Sequence, residues 1–122
     1  MDTIQIILLA LVLLIVFFRV KKYFIKRSLK NYTSEEAKGL LKSGGIVLLD
    51  VRTDRERKSC AIKPSIHIPL HEISLKADQL KKYGEREIVC YCQTGSRSVS
   101  AAAKLRKLGF NSANLTDGYV SW

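Results

Sequence analysis

A six-residue loop between an apolar strand and a helix is the feature that most constrains this chain. The run Glu87–Tyr91 predicts a buried strand, and an amphipathic pattern from Ser98 to Leu108 predicts a helix. Cys92 opens the loop between them, at a point where backbone N–H groups without intrahelical partners converge and favour an anion. Such a site stabilises a thiolate, which is the reactive form of cysteine. We therefore predict that Cys92 is a nucleophile.

The loop residues after the cysteine are predicted to form the substrate site. Gly95 allows a tight turn, and Arg97 adds a planar cation that either binds an anionic donor or holds the loop through a buried carboxylate. The other loop residues are expected to contribute backbone N–H groups, with side chains that shape specificity: Gln93, Thr94 and Ser96. A purely structural cysteine leaves the spacing of Gly95 and Arg97 unexplained.

Strand and helix patterns alternate through the second half of the chain. Thr33 and Glu36 have capping-box spacing before a helix that should stop at Gly44–Gly45. Further strands are predicted at 46–50, 66–68 and 113–115, with a helix over 73–82. This alternation predicts an α/β fold, a parallel sheet flanked by helices, in which ligands bind at the carboxyl ends of the strands.

Several of these stretches, in this order, resemble the rhodanese family of sulfurtransferases over residues 33–122. Cys92, Gly95 and Arg97 match its Cys-x-x-Gly-x-Arg loop. The other matching stretches are Leu48–Arg52, Ile66–Leu70, Gly109-Phe110 and the closing Leu115–Trp122. Two segments depart from the family pattern, because Cys60-Ala61 replaces its usual Gly-His and Asp117-Gly118 replaces a doubled glycine.

The resemblance implies sulfane sulfur transfer through a persulfide on Cys92. The donor would be a small molecule such as thiosulfate, and the acceptor a thiol or cyanide, with no cofactor or metal required. Asp50 and Arg52 would lie near the loop and support it structurally. The related phosphatases and arsenate reductases resemble Cys-x5-Arg, whereas this loop is Cys-x4-Arg, a smaller ring of N–H donors that suits a persulfide.

Two other functions stay open from the sequence. One is a non-catalytic rhodanese-like binding module, which the presence of Cys92 disfavours. The other is a cysteine-based redox or arsenate-reducing enzyme in which Cys92 works with Cys90 or Cys60. Core packing is the simpler interpretation of Cys90, and Pro69 between His67 and His71 argues against a metal site there.

The start of the chain is not globular in composition. The 15 residues Ile4–Phe18 are apolar except for Gln5, and would span about 22 Å as a helix. We expect a transmembrane anchor over 1–20, a basic juxtamembrane linker over 21–32 and the rhodanese-like domain over 33–122, with lipid contacts through 4–25. A signal peptide is disfavoured by Asp2 and by the lack of an Ala-x-Ala site, and a core helix by the lack of a polar face.

Charge predicts the orientation of this anchor. Residues 19–30 carry six basic side chains and no acid, whereas the residues before the apolar run carry only Asp2. The positive-inside rule then places the N-terminus outside and the catalytic domain in the cytoplasm. The chain has a net charge of +10, but no aromatic-basic motif accompanies it, so nucleic-acid binding is not expected. Three cysteines fit a reducing compartment better than a disulfide framework.

Overall fold

The fold is a five-stranded parallel sheet with helices on both faces, as the sequence predicts. The computed structural model describes residues 1–122. The strands lie in the order β1-β5-β4-β2-β3, and all their pairings are parallel. They are β1 (Lys30–Tyr32), β2 (Ile46–Asp50), β3 (Ile66–His67), β4 (Glu87–Tyr91) and β5 (Ser112–Leu115). The helices are α1 (Thr3–Ser28), α2 (Ser34–Ser43), α3 (Asp54–Ser59), α4 (Ile73–Lys76) and α5 (Ser96–Lys107).

Alternation along the buried strands divides the core into two clusters, one on each face of the sheet. Val47 and Leu49 of β2 point to the face that is covered by α4 and α5, and Leu48 points to the face that is covered by α2. Every residue of β2 is buried. Because β4 pairs with both β2 and β5, it lies at the centre of the sheet and carries Cys92 to the middle of the carboxyl edge.

Local signals in the sequence account for most helix ends. The Thr33 hydroxyl accepts from the Glu36 N–H, and Gly44 takes up the left-handed conformation that ends α2. The predicted 73–82 helix is a single α-helical turn, α4, followed by a 3₁₀ segment over Ala77–Tyr83. The short helix α3 was not predicted, although Thr53 caps it with the same box geometry.

The segment after the apolar run differs from the predicted linker. Residues 30–32 form the edge strand β1, which pairs with β5, and Leu29 is buried in the core. Ile25 packs against the same cluster, and the Arg106 guanidinium donates to the Ser28 carbonyl at 3.0 Å. The folded unit therefore includes residues before 33, and only Leu29 separates α1 from β1.

Helix α1 is exposed along almost its whole length. It has 26 residues, none of them buried, and is long and apolar enough to cross a membrane by length and composition. Its exposed apolar side chains exclude the alternative of a buried core helix.

Candidate active site

The candidate nucleophile lies where the sequence predicts it. Cys92 follows the last residue of β4, and α5 begins four residues later at Ser96. The Gly95 N–H donates to the Cys92 sulfur at 3.1 Å, so the loop curls back over it. Cys92 is only 1% exposed, which places the sulfur at the floor of the loop.

Hydrogen bonds to the sulfur outweigh the effect of its burial. Burial by itself raises the pKa of the Cys92 thiol, but the Ser98 hydroxyl and the N–H groups of Ser98, Gly95 and Thr94 lower it, and the net pKa lies below the ordinary value. The site therefore stabilises the thiolate, the nucleophilic form, relative to that of an ordinary cysteine.

A chain of polar side chains leads from the sulfur through the core. The Ser98 hydroxyl lies 3.5 Å from the Cys92 sulfur and donates to the Asn114 amide oxygen at 2.6 Å. Asn114 in turn donates to Asn31 of β1 at 3.0 Å, and Asn31 donates to the Lys26 carbonyl at the end of α1. Ser98 and Asn114 are fully buried, so these contacts fix their orientation.

Asp50 and Arg52 form a buried ion pair beneath the loop. Two guanidinium nitrogens of Arg52 donate to the Asp50 carboxylate at 3.0 and 2.9 Å. The remaining contacts of the guanidinium reach the Gln93 side chain at 3.1 Å and the Cys60 carbonyl at 2.6 Å. Burial raises the pKa of Asp50, but the bonds from Arg52 and Tyr91 more than offset this and hold it low. The pair thus joins the end of β2 to the active loop.

Arg97 forms a bidentate ion pair with Glu56 of α3. Its two terminal nitrogens donate to the Glu56 carboxylate at 2.6 and 2.8 Å. This contact lowers the pKa of Glu56 to about 2 and raises the pKa of Arg97. The carboxylate partner expected under the loop-holding alternative is therefore present, although Glu56 is half-buried rather than fully buried.

Two glycines allow the loop to pack against the C-terminal turn. Gly95 has φ 99°, and a Cβ atom there would lie 3.2 Å from the Asp117 nitrogen. Gly118 has φ 60°, and a Cβ atom there would lie 2.4 Å from the Cys92 carbonyl oxygen. The Tyr119 N–H donates to that same carbonyl at 2.9 Å. Asp117 adopts φ 62°, the left-handed conformation that aspartate tolerates.

The other predicted positions divide between the loop rim and the core. Thr94 and Ser96 are exposed at the rim, whereas Gln93 is half-buried and held by Arg52. Cys90 is fully buried, and burial strongly raises the pKa of its thiol, so it packs as a core residue. Cys60 is exposed, and its pKa is lowered by Tyr119 first and also by Arg52.

Sequence reasoning missed three residues that contact this site. Glu56 was hidden because the helix α3 was not predicted. Ser98 and Asn114 left a usable signal, since Ser98 shares the apolar helix face of Ala101 and Leu105, and Asn114 lies inside the last predicted strand. Buried polar residues need partners, so such positions point to a network.

Comparison with known proteins gives the same picture of fold and chemistry. The model of the rhodanese-like domain matches residues 33–122. A sulfurtransferase from Allochromatium vinosum is 32% identical over 78 residues, covering 63% of this chain and 71% of the relative. The human thiosulfate:glutathione sulfurtransferase is 29% identical over 100 residues, covering 71% and 87%.

A solved structure extends the likeness to three dimensions. The human single-domain sulfurtransferase superposes with a TM-score of 0.67 at 28% identity, covering 75% of this chain and 93% of that one. Together with the parallel sheet and the cysteine loop at its carboxyl edge, these matches support sulfur transfer in general. The chain belongs to the family of rhodanese-like domains.

Proposed function

We propose that this protein is a sulfurtransferase that carries sulfane sulfur as a persulfide on Cys92. The observation that carries this proposal is the buried Cys92 sulfur, which accepts the Gly95 N–H inside a Cys-x4-Arg loop at the carboxyl edge of the sheet. The loop lowers the pKa of Cys92 and offers N–H donors to the persulfide anion that would replace the thiolate.

The reaction has two balanced steps. The Cys92 thiolate attacks the outer sulfur of thiosulfate, the S–S bond of the donor breaks with its electron pair leaving on sulfite, and Cys92 retains the transferred sulfur as a persulfide anion. An acceptor thiolate or cyanide then attacks that outer sulfur, forming a new persulfide or thiocyanate and restoring the Cys92 thiolate. A thiol as the physiological acceptor fits the human relative whose name includes glutathione.

Loop size favours this chemistry over phosphate or arsenate chemistry. The ring from Cys92 to Arg97 closes with the Gly95 N–H already on the sulfur. An additional loop residue would widen the ring for a tetrahedral oxyanion. In this proposal Gln93, Thr94 and Ser96 shape the donor site, and Asp50 and Arg52 support it.

We further propose that α1 anchors the domain to a membrane, with the domain on the cytoplasmic side. Over Ile4–Phe18 the helix exposes its apolar side chains around its circumference, and a continuous apolar surface of this kind is stable in lipid rather than in water. The six basic residues over 19–30 support the orientation.

Sulfur loading tests the chemical proposal. The full chain in an uncharged detergent should gain about 32 Da on treatment with thiosulfate, the mass of one sulfur, and cyanide should remove it. Intact mass spectrometry measures both steps. Cys92→Ser should abolish the gain, whereas Cys60→Ser and Cys90→Ser should retain it.

Two outcomes would contradict the mechanism. Sulfur loading that persists in Cys92→Ser would place the carrier elsewhere. A wild-type chain that gains no sulfur from thiosulfate or from an alkyl persulfide would favour a binding module.

A further inference from the structure

The last turns of α1 form one wall of a recess against the active loop. The recess has a volume of about 280 Å³. Arg19, Lys22 and Lys26 line it from α1, and Thr94, Gly95 and Ser96 line it from the loop. The sequence did not predict the recess. It indicated only that these basic residues flank a membrane-spanning helix.

The recess is strongly cationic. Arg19, Lys22 and Lys26 are three and four residues apart, so they share one face of the helix. No carboxylate lines the recess, and none of the three cations forms a salt bridge. The Lys22 ammonium donates to the Ser96 hydroxyl at 2.7 Å, which brings its charge onto the loop.

Gly95 links the recess to the buried Cys92 sulfur. Gly95 lines the recess and also donates its N–H to the Cys92 sulfur at 3.1 Å. The helix is held in place by buried Leu29, by Ile25 against the core and by the bond from Arg106 to Ser28. The stretch of α1 that carries the cations is therefore held beside the loop, and the Lys22 ammonium contacts it directly.

From this arrangement we infer that the recess binds the oxyanion part of an anionic sulfur donor, a thiosulfate-like group, and that Arg19, Lys22 and Lys26 are substrate-binding residues. The inference rests on the proposed sulfurtransferase function. Attack on thiosulfate brings a thiolate and a dianion together, and sulfite leaves as a dianion. Cations beside the loop offset this repulsion and stabilise the charge on the leaving group.

The test uses the full chain in an uncharged detergent and measures the second-order rate constant for sulfur loading of Cys92. The triple variant Arg19→Gln/Lys22→Gln/Lys26→Gln should load from thiosulfate about tenfold more slowly than wild type, because charge complementarity acts mainly on association. Loading from 2-hydroxyethyl persulfide, whose leaving group has no oxyanion, should stay within about twofold of wild type.

A matched control is available on the same helix. Lys21 lies two residues from Arg19 and lines a different surface groove, with Phe17 and Phe24. Lys21→Gln removes one positive charge outside the recess, whereas the triple variant removes three inside it, and Lys21→Gln should leave loading from thiosulfate within about twofold of wild type. Added salt should slow the wild type far more than the triple variant, because salt screens exposed charges.

The remaining outcomes show whether the inference about the recess or the proposed function fails. Equal losses with both donors would indicate damage to the loop and overturn the inference. A triple variant that matches wild type in detergent, and differs only in vesicles that contain phosphatidylglycerol, would make the recess a lipid headgroup site and also overturn it. If wild type loads sulfur and the triple variant is unchanged throughout, only this inference fails, whereas a wild type that loads no sulfur refutes the function itself.

Discussion

At the scale of single residues, the hydroxyl of Ser98 has one proton and two acceptors within reach. It donates to Asn114 and lies 3.5 Å from the Cys92 sulfur. With a neutral thiol, the sulfur can donate to the Ser98 oxygen and the bond to Asn114 persists. With a thiolate, the hydroxyl must turn toward the sulfur to stabilise it. Ser98 is therefore a positioning residue that responds to the charge of Cys92.

We predict that Ser98→Ala raises the pKa of Cys92. The folded-state pKa is lowered, so the thiolate persists as pH falls below the ordinary cysteine value, and loss of a hydrogen bond to the thiolate moves that midpoint upward. The pH dependence of iodoacetamide alkylation, followed by mass spectrometry, measures the midpoint. Ser100→Ala changes a neighbouring α5 serine that is only partly buried and should leave it in place. An unchanged midpoint in Ser98→Ala would show that Ser98 does not stabilise the Cys92 thiolate.

The two roles open to Arg97 can also be separated. Both terminal nitrogens of Arg97 are already bonded to Glu56, so we expect the pair to hold the loop. Arg97→Ala and Glu56→Gln should then slow sulfur loading by a similar factor, roughly tenfold, with thiosulfate and with an alkyl persulfide alike. Rates of loading with the two donors measure this. A loss confined to thiosulfate in Arg97→Ala, with Glu56→Gln near wild type, would instead show that Arg97 binds the donor.

At the scale of elements, the sequence predicts the parts that have local signals. The capping box at Thr33, the apolar run of β2 and the cysteine loop are each contained within a few residues, so the sheet and the place of Cys92 could be predicted. The strand β1 could not, because Lys30-Asn31-Tyr32 has no apolar alternation and is a strand only through its pairing with β5. The contacts of Arg97 and Arg52 join residues 41 positions apart, which no local pattern reveals.

The C-terminal turn is the element that backs the active loop. We predict that Gly118→Ala lowers the free energy of unfolding by more than about 2 kcal/mol, because its Cβ would overlap the Cys92 and Gln93 carbonyls. Thermal unfolding in detergent measures the loss. Gly109→Ala is the control: Gly109 also has a positive φ, 93°, but has open space around the new atom, so the change should cost about 1–2 kcal/mol. Equal losses of stability in the two variants would mean that the close packing of Gly118 against the Cys92 and Gln93 carbonyls is unimportant.

At the scale of the whole molecule, helix α1 and the domain are continuous. Leu29 and β1 follow α1 directly and belong to the core and the sheet. A fragment that begins at residue 31 would lose Leu29 and the first residue of β1. Measurements on this protein should therefore use the full chain.

The proposed topology predicts which thiol is protected in intact cells. Cys60 is exposed, whereas Cys90 and Cys92 are buried, so Cys60 is the reporter. A membrane-impermeant maleimide should leave it unlabelled until the cells are lysed, because transfer of each basic residue of the 19–30 segment across the membrane centre costs ~2.5–3.5 kcal/mol. Cys60→Ser should lose the signal seen after lysis. Labelling of Cys60 before lysis, in cells shown to be intact, would reverse the orientation.

In the proposed membrane topology, the short junction between α1 and β1 sets how far Cys92 stands from the lipid. With Phe18 at the hydrocarbon boundary, Lys22 lies four residues further along the helix, about 6 Å, and it contacts Ser96 of the active loop. The headgroup layer is itself about 5–7 Å deep on each side. In that topology the loop would work level with the polar surface of the bilayer. Partners in the membrane would reach the loop by lateral diffusion, and a soluble acceptor would have to approach the membrane surface.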